Sequence, residues 1–188
     1  LPGRVPPPGG HGPLMSNLSS TELKRLHRSW RKQPLPLLAL LLDGVASPFN
    51  VGGLIRTAAA YRADAVWTAP PTPPLDDPKV GRTAMGTERY LTWSEAPDGR
   101  TAVERAHASG YEVVGVELAH GAIPAHEADL DGDLCLALGH EDRGLAATTL
   151  AACDRVIYLP QLGRVGSLNV ATAGAMAIWE VRRRSLSR

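Results

Sequence analysis

Short apolar runs that alternate with helix-patterned segments limit this chain to one broad architecture. Residues 37–45 form an apolar run that suits a buried parallel strand, although the leucine content also suits a helix. Ala65–Ala69, 91–95, 111–118, 134–138 and 156–159 read as further strands. Between them, Val51, Leu54, Ile55, Ala58 and Ala59 recur at helical spacing. Residues 100–109 read as a helix ended by Gly110, 145–152 as another, and 80–90 as a short helix or irregular segment. This alternation predicts an α/β domain with a mostly parallel sheet flanked by helices. In such sheets ligands sit beyond the carboxyl ends of the strands.

Three strand ends carry polar or glycine-rich turns, at 47–50, 139–144 and 161–169. They form one pocket if their strands are neighbours. The last turn leads into a long segment: Pro160 stops the strand, and Gly163 and Gly166 punctuate the loop. Ser167 is expected to cap a helix in which Leu168, Ala171, Ala175, Ile178 and Trp179 recur at helical spacing. Its small residues (Ala171, Ala173, Gly174, Ala175, Ala177) allow another backbone to come close. Asn169 is a poor helix former, so something other than propensity places it there. On the earlier helix Arg56 falls off the apolar stripe at 100° per residue, and should face solvent or a site.

The length of 188 residues suits one domain with a real core. Residues 1–15 are rich in proline and glycine and are expected to lack regular structure. Residues 16–36 are expected to hold a basic helix capped by Ser20 or Thr21, with Lys24, Arg25, Arg28, Arg31 and Lys32 around a thin stripe of Leu23, Leu26 and Trp30. Residues 37–188 are the expected α/β domain. The net charge of +1 hides an asymmetry: residues 1–36 carry +5 and 182–188 carry +4, leaving −8 between them. Basic ends on an acidic body suit a polyanion, or a solvated tail and a favourable helix terminus. No apolar run approaches the roughly 20 residues of a membrane span, and no leader pattern is read, so no membrane partner is expected. Cys135 and Cys153 are too few for a disulfide framework, which makes a reducing cytoplasmic setting the expectation. A phosphate-binding Gly-x-x-x-x-Gly-Lys-Ser/Thr is absent, and Gly52-Gly53 falls inside a helix rather than in a dinucleotide loop. His120 and His126 lack metal-ligand spacing, so no metal is expected. Ser167 lacks the Gly-x-Ser-x-Gly elbow of a hydrolase.

Taken together, three segments resemble the SpoU/TrmH branch of the SPOUT RNA methyltransferases. They are Asn50-x-Gly52-x-x-x-Arg56-Thr-Ala, Leu138-Gly139-His-Glu141-Asp-Arg-Gly144-Leu, and Leu159-Pro followed after six residues by Ser167-Leu-Asn169-Val. Within the branch, Arg164-Val-Gly-Ser-Leu-Asn and Trp179-Glu-Val-Arg-Arg look most like the tRNA (guanosine-2′-O) methyltransferases. The resemblance implies a C-terminal deep trefoil knot, a homodimer, and S-adenosylmethionine as cofactor without a metal. It implies cofactor contacts at Leu118, Gly139, Leu159, Ser167 and Leu168. Catalytic roles fall to Arg56, Asn50, Glu141, Ser167 and Asn169, with Arg56 the activating residue. Since a guanidinium stays charged, Arg56 suits phosphate binding and alkoxide stabilisation better than proton removal. RNA contacts are expected from Arg25, Arg28, Arg31, Lys32, Arg182 and Arg183. The implied reaction is methylation of a ribose 2′-OH, first of a guanosine in tRNA. The alternatives are a ribosomal RNA 2′-O methyltransferase, of the kind that can confer antibiotic resistance, and a non-catalytic RNA-binding homologue.

Overall fold

The computed structural model describes residues 16–186, so the expectation for 1–15 lies outside the described residues. The chain divides into two compact units, Leu1–Leu35 and Pro36–Arg188. In the first unit, α1 (Ser20–Arg31) starts earlier than expected, because Ser19, rather than Ser20 or Thr21, is the cap. Its hydroxyl accepts the Glu22 amide, and the Glu22 carboxylate receives the Ser19 N–H at 2.8 Å and O–H at 2.6 Å, closing a capping box. Arg25, Arg28, Arg31 and Lys32 are exposed on this helix.

In the second unit the elements run β1 (Leu38–Asp43), α2 (Pro48–Ala60), β2 (Ala65–Ala69), α3 (Pro78–Ala84), a 3-10 turn (Thr87–Tyr90), β3 (Thr92–Glu95), α4 (Gly99–Ala108), β4 (Glu112–Val116), β5 (Ile123–Pro124), β6 (Leu134–Gly139), α5 (Ala147–Ala152), β7 (Arg155–Tyr158) and α6 (Val170–Leu186). The strands form one sheet in the order β3-β2-β1-β6-β4-β7-β5, and every pairing is parallel. The expected α/β class holds. Residues 38–43 are a strand despite their leucines because β1 lies mid-sheet with all six residues buried. Leu38, Leu40 and Leu42 pack on one face with Leu54, Ile55 and Ile178, while Ala39 and Leu41 meet Ala102, Val103 and Ala106 on the other. Each fully buried leucine contributes about 2 kcal/mol, which outweighs a small helix preference.

The small residues of α6 have a use within this unit. A Cβ on Gly174 would fall 2.3 Å from Leu54 Cδ2 and 2.9 Å from Leu138 Cδ1, so α6 packs against α2 and β6 only with glycine there. Ser167 is not the cap of α6. Asn169 is, its Oδ1 accepting the amides of Ala171 at 3.0 Å and Thr172 at 3.1 Å. The two-residue β5 escapes a sequence reading, being short and half proline.

Arg182 does not face solvent and is no RNA contact in this unit. It is 2 % exposed, and its guanidinium donates to the carbonyls of Tyr61 at 2.8 Å, Pro36 at 2.7 Å and Arg62 at 2.7 Å. It ties α6 to the end of α2 and the start of β1. Arg183 pairs with Glu180, and Arg184 reaches Glu180 and the carbonyls of Ala125, His126 and Ala128. Much of the C-terminal positive charge is thus engaged within the fold. Arg182→Ala should cost about 3 kcal/mol by removing three hydrogen bonds to part-buried carbonyls, read as a lower midpoint in urea unfolding. An unchanged midpoint would show that water replaces the guanidinium without loss.

Candidate functional site

The site is built where β1 and β6 end side by side, with Asp43 paired to Gly139. The loops that follow them, and the loop before α6, are joined by one chain of hydrogen bonds. The Glu141 carboxylate accepts the amides of Ala46 and Ser47, both at 2.9 Å, and Asn50 Nδ2 at 2.8 Å. Asn50 Oδ1 in turn accepts Asn169 Nδ2 at 3.0 Å, and Asn169 Oδ1 accepts the first amides of α6. A carboxylate only accepts, so Glu141 sets which way Asn50 points, and Asn50 sets Asn169. The helix amides at the far end demand an acceptor, which agrees. Partial burial pushes the Glu141 carboxyl up, but hydrogen bonds from Asn50, Ala46 and Ser47 outweigh it and hold it at about 2.

The three loops expected to converge therefore do so. Both ends of the Asn50 and Asn169 amides are used within the protein, so these residues hold loops in place. Ser47 caps α2.

Beside this chain of bonds lies a cavity of about 470 Å³. Leu118, Gly139, Leu159, Ser167 and Leu168, the five residues expected around a cofactor, all line it, as does Glu141. Gln161, Asp142 and Tyr158 line it as well and were not singled out by sequence. Two further carboxylates were also missed. Glu117, just past β4, accepts the Leu145 amide at 3.0 Å and the Leu118 amide at 3.2 Å. Asp43, buried at the last position of β1, accepts the Ala146 amide at 2.9 Å. Together with Glu141 they fix the loop from Gly139 to Ala146 from three sides. Gly144 has φ +68°, and a Cβ there would fall 2.3 Å from Glu117 Oε2. His140 and Gly144 exchange backbone hydrogen bonds of 3.0 and 2.8 Å, closing the loop tightly. The signal in the sequence is an acid at the end of an apolar run, in Leu-Leu-Leu-Asp43 and Val-Gly-Val-Glu117.

Arg56 stands apart. The expected stripe of α2 is buried at Val51, Leu54, Ile55 and Ala58, and Arg56 is exposed. Its Nη1 lies 2.8 Å from Met85 Sδ. Six residues beyond Asn50, it sits about 9 Å further along the helix axis, and it does not line the cavity. Among the described residues no group of three His, Cys, Asp or Glu could hold a metal ion, and no helix is long and apolar enough to cross a membrane.

The chain is similar to several known proteins. It is 33% identical over 150 residues to the 23S rRNA (guanosine-2'-O-)-methyltransferase RlmB of Acinetobacter baylyi, covering 79% of this chain and 60% of that protein. It is 29% identical to the tRNA (guanosine(18)-2'-O)-methyltransferase of Escherichia coli, covering 79% of this chain and 64% of that one. The chain thus spans less than two thirds of the length of these relatives. The crystal structure of the SpoU methyltransferase AviRb from Streptomyces viridochromogenes with AdoMet superposes with a TM-score of 0.73 at 28% identity, over 85% of this chain and 65% of that one. A structure described as giving insight into the 2-OH methylation of C/U34 on tRNA superposes with a TM-score of 0.72 at 28% identity, over 81% of this chain and 99% of that one. The SpoU rRNA Methylase family matches residues 37–179, from the start of β1 into α6 and across all three bonded loops, and this chain belongs to it.

Proposed function

We propose that this chain is an S-adenosylmethionine-dependent RNA methyltransferase that methylates a ribose 2′-OH, first of a guanosine in tRNA. The observation that carries the reading is the cavity walled by the 139–146 and 161–169 loops and pinned by the Glu141–Asn50–Asn169 chain. Its residues fit the cofactor. About 470 Å³ lies within the usual range for a ligand of that size. Leu118, Leu159 and Leu168 offer apolar walls to a purine, and Glu117 and Asp142 offer negative charge to a cation. The orphaned, buried Oε1 of Gln161 supplies an acceptor.

Bound S-adenosylmethionine supplies an already activated methyl group. The protein's task is then mostly alignment, which rigid loops perform. A guanidinium suits charge stabilisation rather than proton removal, so Arg56 grips the neighbouring phosphate and stabilises developing alkoxide charge. The proton leaves to a phosphate oxygen or water.

Arg56 lies outside the cavity of its own chain, so the complete site takes Arg56 from a second copy. A homodimer of this kind is supported by apolar side chains exposed near the cavity loop and on α6: Leu162 at 99%, Val165 at 64%, and Met176 and Trp179 at 46%. The deep knot of the family belongs to the same proposal. Its support is that β6 lies between β1 and β4, so the chain leaving β7 must come back past the 139–146 loop to lay α6 on α2.

The tRNA reading draws on the exposed cations of α1 and on the compact relative that this chain matches over 99% of its length. A ribosomal RNA substrate is the second reading, favoured by the 33% identity to the 23S rRNA enzyme. Transfer of labelled methyl to unmodified tRNA and to ribosomal RNA, with the modified nucleotide mapped, separates the two. Absence of S-adenosylmethionine binding in calorimetry would favour the non-catalytic homologue. Replacing Arg25, Arg28, Arg31 and Lys32 by alanine should weaken RNA binding and flatten the slope of log affinity against log salt by about one per lost phosphate contact. A slope equal to that of the wild type would remove α1 from the interface.

A further inference from the structure

Four buried side-chain atoms lack a hydrogen-bond partner among the described residues: Glu88 Oε2, Trp93 Nε1, Thr149 Oγ1 and Gln161 Oε1. Of these residues only Gln161 lines the cavity. An amide oxygen sealed from water without a partner is unfavourable, and a ligand that brings a donor relieves it. Terminal amide torsions are soft, so the Gln161 oxygen can turn from the wall to a donor inside the cavity.

The character of the surroundings narrows the ligand group. Gln161 follows Pro160, whose ring fixes its own backbone, and Leu159 and Leu168 contribute apolar surface to the same cavity. Charged acceptors, Glu117 and Asp142, are available elsewhere in the lining for cationic parts of a ligand. A neutral amide beside apolar walls suits the edge of a flat, uncharged base. A glutamine amide matches adenine in particular: its oxygen accepts from the 6-amino group while its NH2 donates to a ring nitrogen.

We propose that Gln161 reads the 6-amino edge of the adenine in the bound cofactor, and so is the residue that selects an adenine nucleoside over a 6-oxo purine. The assignment rests on the cofactor reading given above. Along the edge that carries the 6-position and N7, a 6-oxo purine presents two acceptors, so whichever way the amide turns the Gln161 oxygen finds no donor.

The test is calorimetric binding of S-adenosylhomocysteine and S-inosylhomocysteine to the full chain and to Gln161→Met, with ligand-free melting curves to verify folding. Gln161→Leu serves the same purpose should the methionine variant fold poorly. The wild type should prefer the adenosyl ligand by about tenfold or more, and the variant should lose about tenfold for that ligand alone, bringing the two within about threefold. Retention of the full preference by the variant, an equal loss for both ligands, or a wild type with no preference would each overturn the assignment alone. Failure of the wild type to bind either ligand would overturn the cofactor reading and the assignment with it.

Discussion

Arg56→Ala is expected to lower methyl transfer by about 10²–10³-fold, the usual effect of deleting one group that stabilises transition-state charge. Cofactor affinity should stay within about twofold of the wild type, because Arg56 does not line the cavity. If each site takes Arg56 from the partner, two inactive variants can complement each other. Arg56→Ala keeps a sound cavity, and Asn50→Asp keeps a sound Arg56. Dimers re-formed from an equal mixture should then recover roughly a quarter of wild-type activity, since half are mixed and each mixed dimer carries one complete site. Activity no higher than the separate variants would mean that Arg56 serves its own chain. Near wild-type turnover by Arg56→Ala alone would remove it from the reaction.

Asn50→Asp changes no volume yet should be among the most damaging substitutions. Asn50 Nδ2 donates to Glu141 at 2.8 Å, and the substitution sets a second carboxylate there. It also removes the only donor in the link to Glu141, leaving acceptor facing acceptor, while the acceptor that Asn169 Nδ2 needs is retained. Cofactor affinity should fall by about 100-fold at pH 7, as expected for like charges at contact. It should partly recover on acidification, when the pair shares a proton. The wild type should show the opposite sign. Its Glu141 carboxyl is depressed to about 2, so its stabilisation is complete above the ordinary carboxyl value and is lost as pH falls toward about 2. Affinity of Asn50→Asp that stays flat from pH 7 to pH 5 would show that Asn50 and Glu141 do not act as a linked pair.

How far the sequence reveals this molecule depends on whether a signal is local. The strand of residues 38–43 and the stripe of α2 are local patterns, and burial follows them. The outward position of Arg56 follows from helical geometry alone. The convergence of three loops needed an assumption that their strands are neighbours, which holds for β1 and β6 but not for β7, since β4 lies between β6 and β7 and the third loop joins the others through the Asn169–Asn50 hydrogen bond. Other features are not local. Arg182 sits in a run of arginines that reads equally well as a grip on polyanions. Its true partners, the carbonyls of residues 36, 61 and 62, come from more than a hundred positions away. Ser167 and Asn169 are both good caps two residues apart, and only the backbone path decides between them. Asp43 and Glu117 look like strand-end acids until the amides of Ala146 and Leu145 are seen to need them. The relation of Arg56 to the cavity is the least legible part, because helical spacing turns Arg56 outward without saying what it faces, and it does not line the cavity of its own chain.

The most direct test of the central claim is the chemical identity of the product. RNA methylated with labelled S-adenosylmethionine can be hydrolysed in alkali, which cleaves the chain next to every free 2′-OH. Ribose methylation should leave the label in an alkali-resistant dinucleotide that yields 2′-O-methylguanosine on full digestion. Label released by alkali as a base-methylated mononucleotide would contradict the account.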